Sequence, residues 1–221
     1  WNKCIRHSTG EYIAIGNADD LRTEKSVQVM AQALDNDSSL DFVYGNFMTV
    51  SKFPSTKGHL VDVVDQQESL KRGMILGPFF MFRKIILEKT GLFDEQFKSG
   101  GDYDFAMRLA RVGKGICLSE NLGYYLDEGK GLSTGSLLQP VERTAIELRY
   151  NLDILERKMV PKALGYELEE MFWEGEKHSV GAFFKRNSLS RVHSKDFLEL
   201  VEKQSTFSAR VKEKVKGLFR F

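Results

Sequence analysis

The stretch Ser8-Thr9-Gly10-Glu11-Tyr12-Ile13-Ala14-Ile15-Gly16-Asn17-Ala18-Asp19-Asp20 decides the fold. Tyr12 to Ile15 is a short apolar run, the pattern of a strand covered on both faces in a parallel sheet. It stops at a turn carrying two adjacent carboxylates, Asp19 and Asp20. Beyond it, Val27, Met30, Ala31 and Leu34 recur at helical spacing, with Thr23 placed to cap the helix and Asn36-Asp37-Ser38-Ser39 to break it. Phe42-Val43-Tyr44 reads as the next strand. Strand, helix and strand with short connections make a βαβ unit, so the sequence predicts an α/β class with a mostly parallel sheet flanked by helices.

Further along, Pro54 and Gly58 signal a hairpin or loop, and Gln66 to Arg72 a short helix. Phe79 to Phe82 is apolar, and Lys84 to Lys89 looks helical up to Gly91. Gly100-Gly101 introduces a helix over Tyr103 to Val112 that Gly113 closes, and Ile116 to Leu118 and Leu122 to Leu126 are further strand candidates. After Gly135 glycine becomes scarce, and Val141, Ala145, Leu148, Leu152, Leu155 and Met159 fall on one helical stripe that Pro161 ends. Two or three more helices are expected from Ala163 to Phe221. The division is therefore residues 1–135 as the α/β domain and 136–221 as an α-helical C-terminal appendage.

A chain of 221 residues, 42% hydrophobic and 11% aromatic, is long enough to bury a sizeable core. Thirty-two Lys and Arg against 31 Asp and Glu leave a formal charge of +1, which gives no reason to expect a nucleic-acid partner. Cys4 and Cys117 lack the spacing of a zinc site and read as reduced core side chains, and the four histidines, His7, His59, His178 and His193, show no ligand spacing. No run approaches a membrane span, and residues 1 to 10 lack a signal-peptide pattern, so a cytoplasmic location is expected. The opening on Trp1 leads to the expectation of a fragment.

Two sites carry chemistry. Asp19-Asp20 stands at the carboxyl end of a strand, where open α/β sheets place their ligand crevice. Adjacent carboxylates there suit Mn²⁺ or Mg²⁺, which needs one or two protein oxygens and fills its shell with water and phosphate. The competing reading is a turn that primes the next helix. Gly100-Gly101-Asp102-Tyr103-Asp104 opens a helix, and a carboxylate fixed there, Asp102, is within the reach of general-base chemistry. Asp104 reads more simply as the i,i+4 partner of Arg108.

Taken in order, Ser8-Thr9-Gly10-Glu11-Tyr12-Ile13, Asn17-Ala18-Asp19-Asp20, Gly91-Leu92-Phe93-Asp94-Glu95 and Gly101-Asp102-Tyr103-Asp104 with Arg108 resemble the family 2 glycosyltransferases of GT-A fold. The resemblance spans roughly residues 2 to 134. It implies an inverting, metal-dependent transfer of a sugar from a nucleotide-diphosphate sugar to the hydroxyl of a glycan or lipid-linked acceptor, as in polysaccharide or cell-envelope glycan synthesis. Residue by residue, it implies Asp19 at the donor's ribose or sugar, Asp20 on the metal, Gly101 and Asp104 on the acceptor side, and Asp102 as catalytic base. Asn17 stands where many members have an acidic residue, and Asp127-Glu128 where members often have a histidine, so Glu128 is the candidate for an extra oxygen ligand, with a solvated loop acid as the simpler reading. The family's first strand and nucleotide-binding βα units, on the order of 80 to 100 residues, have no counterpart here.

The tail sets an apolar stripe, Phe207, Val211, Val215 and Leu218, among basic residues including Lys203, Arg210 and Lys216. A terminal helix packed on its neighbours is the simpler reading, and peripheral membrane contact at the inner membrane face the other. Two alternatives to an enzyme stand: a non-catalytic GT-A-like binding module and a membrane-surface adaptor.

Overall fold

The structure, a computed structural model, describes residues 1–63, 76–129, 131, 135–173 and 176–189. The expected helix over Gln66 to Arg72, His193 and the basic tail lie outside the described residues. In chain order the elements are α1 (Asn2–His7), β1 (Tyr12–Ala14), β2 (Leu21–Arg22), α2 (Ser26–Asn36), β3 (Phe42–Val50), β4 (His59–Val61), β5 (Phe80–Arg83), a 3₁₀ turn (Lys84–Ile86) into α3 (Leu87–Thr90), α4 (Gly101–Val112) and β6 (Gly115–Leu126). After these come α5 (Leu138–Arg149), a 3₁₀ turn (Arg157–Met159), α6 (Val160–Ala163), β7 (Glu170–Trp173), β8 (Glu176–Ser179) and α7 (Val180–Arg186).

The class is α/β, but the sheet is mixed rather than mostly parallel. Its order is β1-β5-β3-β6-β2, with β4 against β3. Among the described residues only β3 and β6 pair in parallel; β5 lies antiparallel between β1 and β3, and β2 and β4 are antiparallel to β6 and β3. The expected crossover from β1 through α2 to β3 exists, with β5 inserted into the gap. The sequence misled here because a continuous apolar run reports burial on both faces and says nothing of strand direction. Phe42 and Tyr44 join Phe80 and Phe82 in the core under α4, with Phe105 and Leu109. Val43 and Met81 join Met30 and Leu34 of α2 on the opposite face. That period-2 division of large side chains fixes the register, since a slip of one residue would exchange the two faces.

Other expectations are corrected as well. Thr23 does not cap α2: its hydroxyl donates to the Asn121 carbonyl at 3.0 Å, and the helix begins at Ser26 with no side-chain cap. Pro161 opens α6, in the first turn where a missing N–H is harmless, instead of ending a long helix, and α5 stops at Arg149. Both cysteines are reduced, but Cys4 is exposed rather than in the core, while Cys117 is half-buried and packs against the central cluster. The segment read as helical after residue 163 contains an antiparallel hairpin, β7 with β8. Its signal was present in Glu170-Met171-Phe172-Trp173, where Met171 and Trp173 are buried and alternate with half-buried neighbours.

The turn after α3 holds the hairpin against the α/β layers. Gly91 has φ of +71°, and a Cβ built there would stand 1.9 Å from the Cβ of Trp173. Gly91→Ala should therefore lower stability by about 2 kcal/mol or more, from backbone strain and steric conflict together, measurable by urea denaturation.

Candidate functional site

A cleft of about 1050 Å³ opens where the turn after β1, the end of β6, the start of α4 and one face of α5 meet. Asp19 and Asp102 both line it, brought together from widely separated sequence, and Arg143 and Glu147 of α5 form the facing wall. The site therefore takes residues from both sides of the division at residue 135.

Asp19 is exposed to the cleft. Asp20 is half-buried: its Oδ2 accepts from the Asn17 side-chain amide at 2.8 Å and its Oδ1 from the Leu126 backbone N–H at 3.1 Å. Burial pushes the Asp20 carboxyl above its ordinary value, partly opposed by those two hydrogen bonds. The Leu126 bond pins the acidic turn to the end of β6, two residues before the exposed Glu128. Arg22 supports the same turn, donating to the Ile15 carbonyl while its guanidinium lies 5.3 Å over the Phe79 ring. Among the described residues no cluster of three or more His, Cys, Asp or Glu side chains stands together as a metal centre. Of the three carboxylates expected at a metal, Asp19 opens to the cleft, while Asp20 and Glu128 are not among the residues that line it.

Asp102 sits half-buried in the first turn of α4, where its Oδ1 accepts from the Tyr103 N–H at 2.8 Å. Burial pushes its carboxyl up to about 6, with the Glu142 charge adding to the rise and backbone N–H groups opposing it. A base near that value is mostly ionised at neutral pH yet keeps useful proton affinity.

Asp104, expected on the acceptor side, does not line the cleft. It is fully buried and bonded at both oxygens, with Oδ2 accepting from Arg108 Nη2 at 2.6 Å and Oδ1 from Arg149 Nη1 and the Tyr150 hydroxyl at 2.8 and 2.9 Å. Burial alone would push this carboxyl up, but Arg108 and Arg149 overcome it and hold it below its ordinary value. Arg149 also pairs with Asp94 at 2.8 Å and donates to the carbonyls of Glu167 and Glu170, so one ion cluster ties α4, α5, the Asp94 segment and β7 together. Gly101 opens onto a smaller neighbouring hollow of about 360 Å³ that Trp1 and Phe93 also line.

Sequence reasoning missed the α5 contributions. Its stripe was recognised, but Glu142, Glu147 and Arg149 are buried too, at 0%, 2% and 0% exposure. The partners of Glu142 and Arg149 come from distant segments, so the sequence carried no signal for them.

No family model matches the chain, and no curated protein does. Two of the solved structures similar to it are TarS chains. The crystal structure of Staphylococcus aureus TarS 1–349 is 16% identical with a TM-score of 0.48, covering 74% of this chain and 48% of that one. The crystal structure of S. aureus TarS is 18% identical with a TM-score of 0.45, covering 74% of this chain and 29% of that one. The chain thus spans about half the length of the first and under a third of the second. At these scores the functional reading rests on the residues themselves. No helix among the described residues is long and apolar enough to cross a membrane.

Proposed function

We propose that this chain carries the metal-binding and acceptor-side part of an inverting glycosyltransferase acting on a nucleotide-diphosphate sugar. The observation that carries the reading is Asp102: a half-buried carboxylate with raised proton affinity, facing across an open cleft an acidic turn at a strand's carboxyl end. The order of motifs in the sequence supports it.

In this reading Asp102 accepts the proton of an acceptor hydroxyl as that oxygen attacks the anomeric carbon, while the bond from that carbon to the nucleotide diphosphate breaks. Asp19 contacts the donor's ribose or sugar. Asp20 and Glu128 would hold Mn²⁺ or Mg²⁺, which when bound would neutralise charge on the departing diphosphate. Gly101 lies on the acceptor side, Asp104 is a structural ion partner, and the acceptor is a glycan or lipid-linked sugar. Residues 136–221 follow as a C-terminal extension that lends α5 to the cleft wall.

Thermal shift of the full-length protein against UDP, GDP, dTDP and CMP, each with and without Mn²⁺, tests the donor side. One nucleotide should stabilise the protein only with metal, by about 2.7 kcal/mol at 100-fold over its Kd, and the effect should disappear in Asp20→Asn. No stabilisation by any nucleotide would remove the reading.

A further inference from the structure

Glu142 lies on α5, is fully buried, and is not among the residues that line the cleft. Its carboxylate faces the loop immediately before Asp102. Oε2 accepts from the backbone N–H groups of Ser99 and Gly100 at 2.7 Å each, and the Lys98 N–H lies 2.9 and 3.0 Å from the two oxygens. The Tyr166 hydroxyl donates to Oε1 at 3.1 Å, and its ring stacks on Phe97. Three successive amides directed at one carboxylate form an anion-binding concavity filled by a side chain of the same molecule. The same loop starts α4: the Gly100 carbonyl accepts from the Asp104 N–H. Gly100 allows the close approach, since a Cβ there would stand 2.9 Å from Ile146 Cδ1.

We propose that Glu142 is a positioning residue for Asp102, seating the Lys98-Ser99-Gly100 loop so that the carboxylate two residues later is held at the cleft in a fixed, water-poor setting. This rests on the reading of Asp102 as the base. The charge on Glu142 also acts through space on that carboxylate. The other ionisable groups that share the cleft with Asp102 are Asp19, Lys98, Arg143, Glu147 and Asp153, with the phenols of Tyr103 and Tyr125, and none of them changes in the test.

The test is a ¹³C NMR titration of the Asp102 carboxyl in the full chain, its resonance assigned by its loss in D102N, compared between the parent protein and E142Q. Glutamine can keep one oxygen on the amides and donate its NH₂ to the Tyr166 oxygen, so the loop is retained and the charge removed. The Asp102 midpoint should fall by about 0.5 pH unit or more, roughly threefold in its ionisation constant. E142D is titrated beside it. That variant keeps the charge but stops one methylene short of the amides, and the midpoint should again fall as the loop loosens and water reaches Asp102. A fall in E142D supports the seating of the loop whether or not sugar transfer is detected, because the titration needs no substrate; a fall in E142Q alone reads only the lost charge and overturns the positioning role. An unchanged midpoint in both overturns it, even for an active transferase.

Discussion

Asp102→Asn is expected to lower kcat by about 10³-fold while leaving KM within roughly threefold, and at the same time to make the protein more stable at pH 8. The two effects share one cause. The folded protein holds the Asp102 proton more tightly than the unfolded chain does, since burial raises the carboxyl from its ordinary 3.8 to about 6. Its contribution to stability is therefore fully favourable below the unfolded value, declines as pH climbs through the folded one, and stays unfavourable above it. Asparagine never ionises and can still accept from the Tyr103 N–H, so it escapes that loss. Scanning calorimetry should show a Tm higher by roughly 3 °C at pH 8 and no difference near pH 4. The parent's transfer rate should rise with a midpoint near pH 6 as the carboxylate becomes able to take a proton. A variant that loses activity and stability together would show Asp102 to be structural, a cap of α4.

Arg149→Ala is expected to cost about 3 to 5 kcal/mol of folding stability. Four acceptors converge on this guanidinium: the carboxylates of Asp94 and Asp104 and the carbonyls of Glu167 and Glu170. Asp104 retains Arg108 when Arg149 is removed, but Asp94 loses its guanidinium partner and the two carbonyls lose a donor. Lysine should recover little, because an ammonium group cannot spread its donors over a planar fork of this width. Urea denaturation would measure both variants; a loss under 1 kcal/mol for Arg149→Ala would mean that water enters and resolvates the cluster.

Much of the fold was legible because large apolar side chains come in periods. The apolar runs in β3 and β5 mark strands covered on both faces, and the helical spacing in α2 marks one buried stripe. Direction escaped, since β5 carries the same kind of apolar run as β1 and nothing in Phe80-Met81-Phe82 says that it runs backwards. The hairpin β7–β8 escaped because it is short and sits between helices. Asp19 and Asp102 were legible as carboxylates at a strand end and a helix start, the two places where backbone geometry presents a side chain to solvent. Asp104 is two residues from Asp102, and its helical spacing to Arg108 already marked it as an ion partner; what the sequence did not show is Arg149 arriving from α5 to complete the cluster. Glu142 was illegible for the same reason: its partners are backbone amides of a loop more than forty residues earlier, and amides leave no mark on a sequence.

The strand order also sets a timetable for synthesis. β1 finds its partner only when β5 has been made, since Tyr12 pairs with Arg83, and β3 acquires its parallel neighbour only when residue 115 follows. The acidic turn is pinned later still, when the Leu126 amide reaches Asp20, and the α5 wall comes last. Each step closes a long loop before its contacts can repay the lost chain entropy, which makes folding slow relative to local helix formation. On a ribosome the apolar faces of β1 and β3 would wait uncovered while tens of residues are added, so the N-terminal third of this chain is where a chaperone would have most to hold.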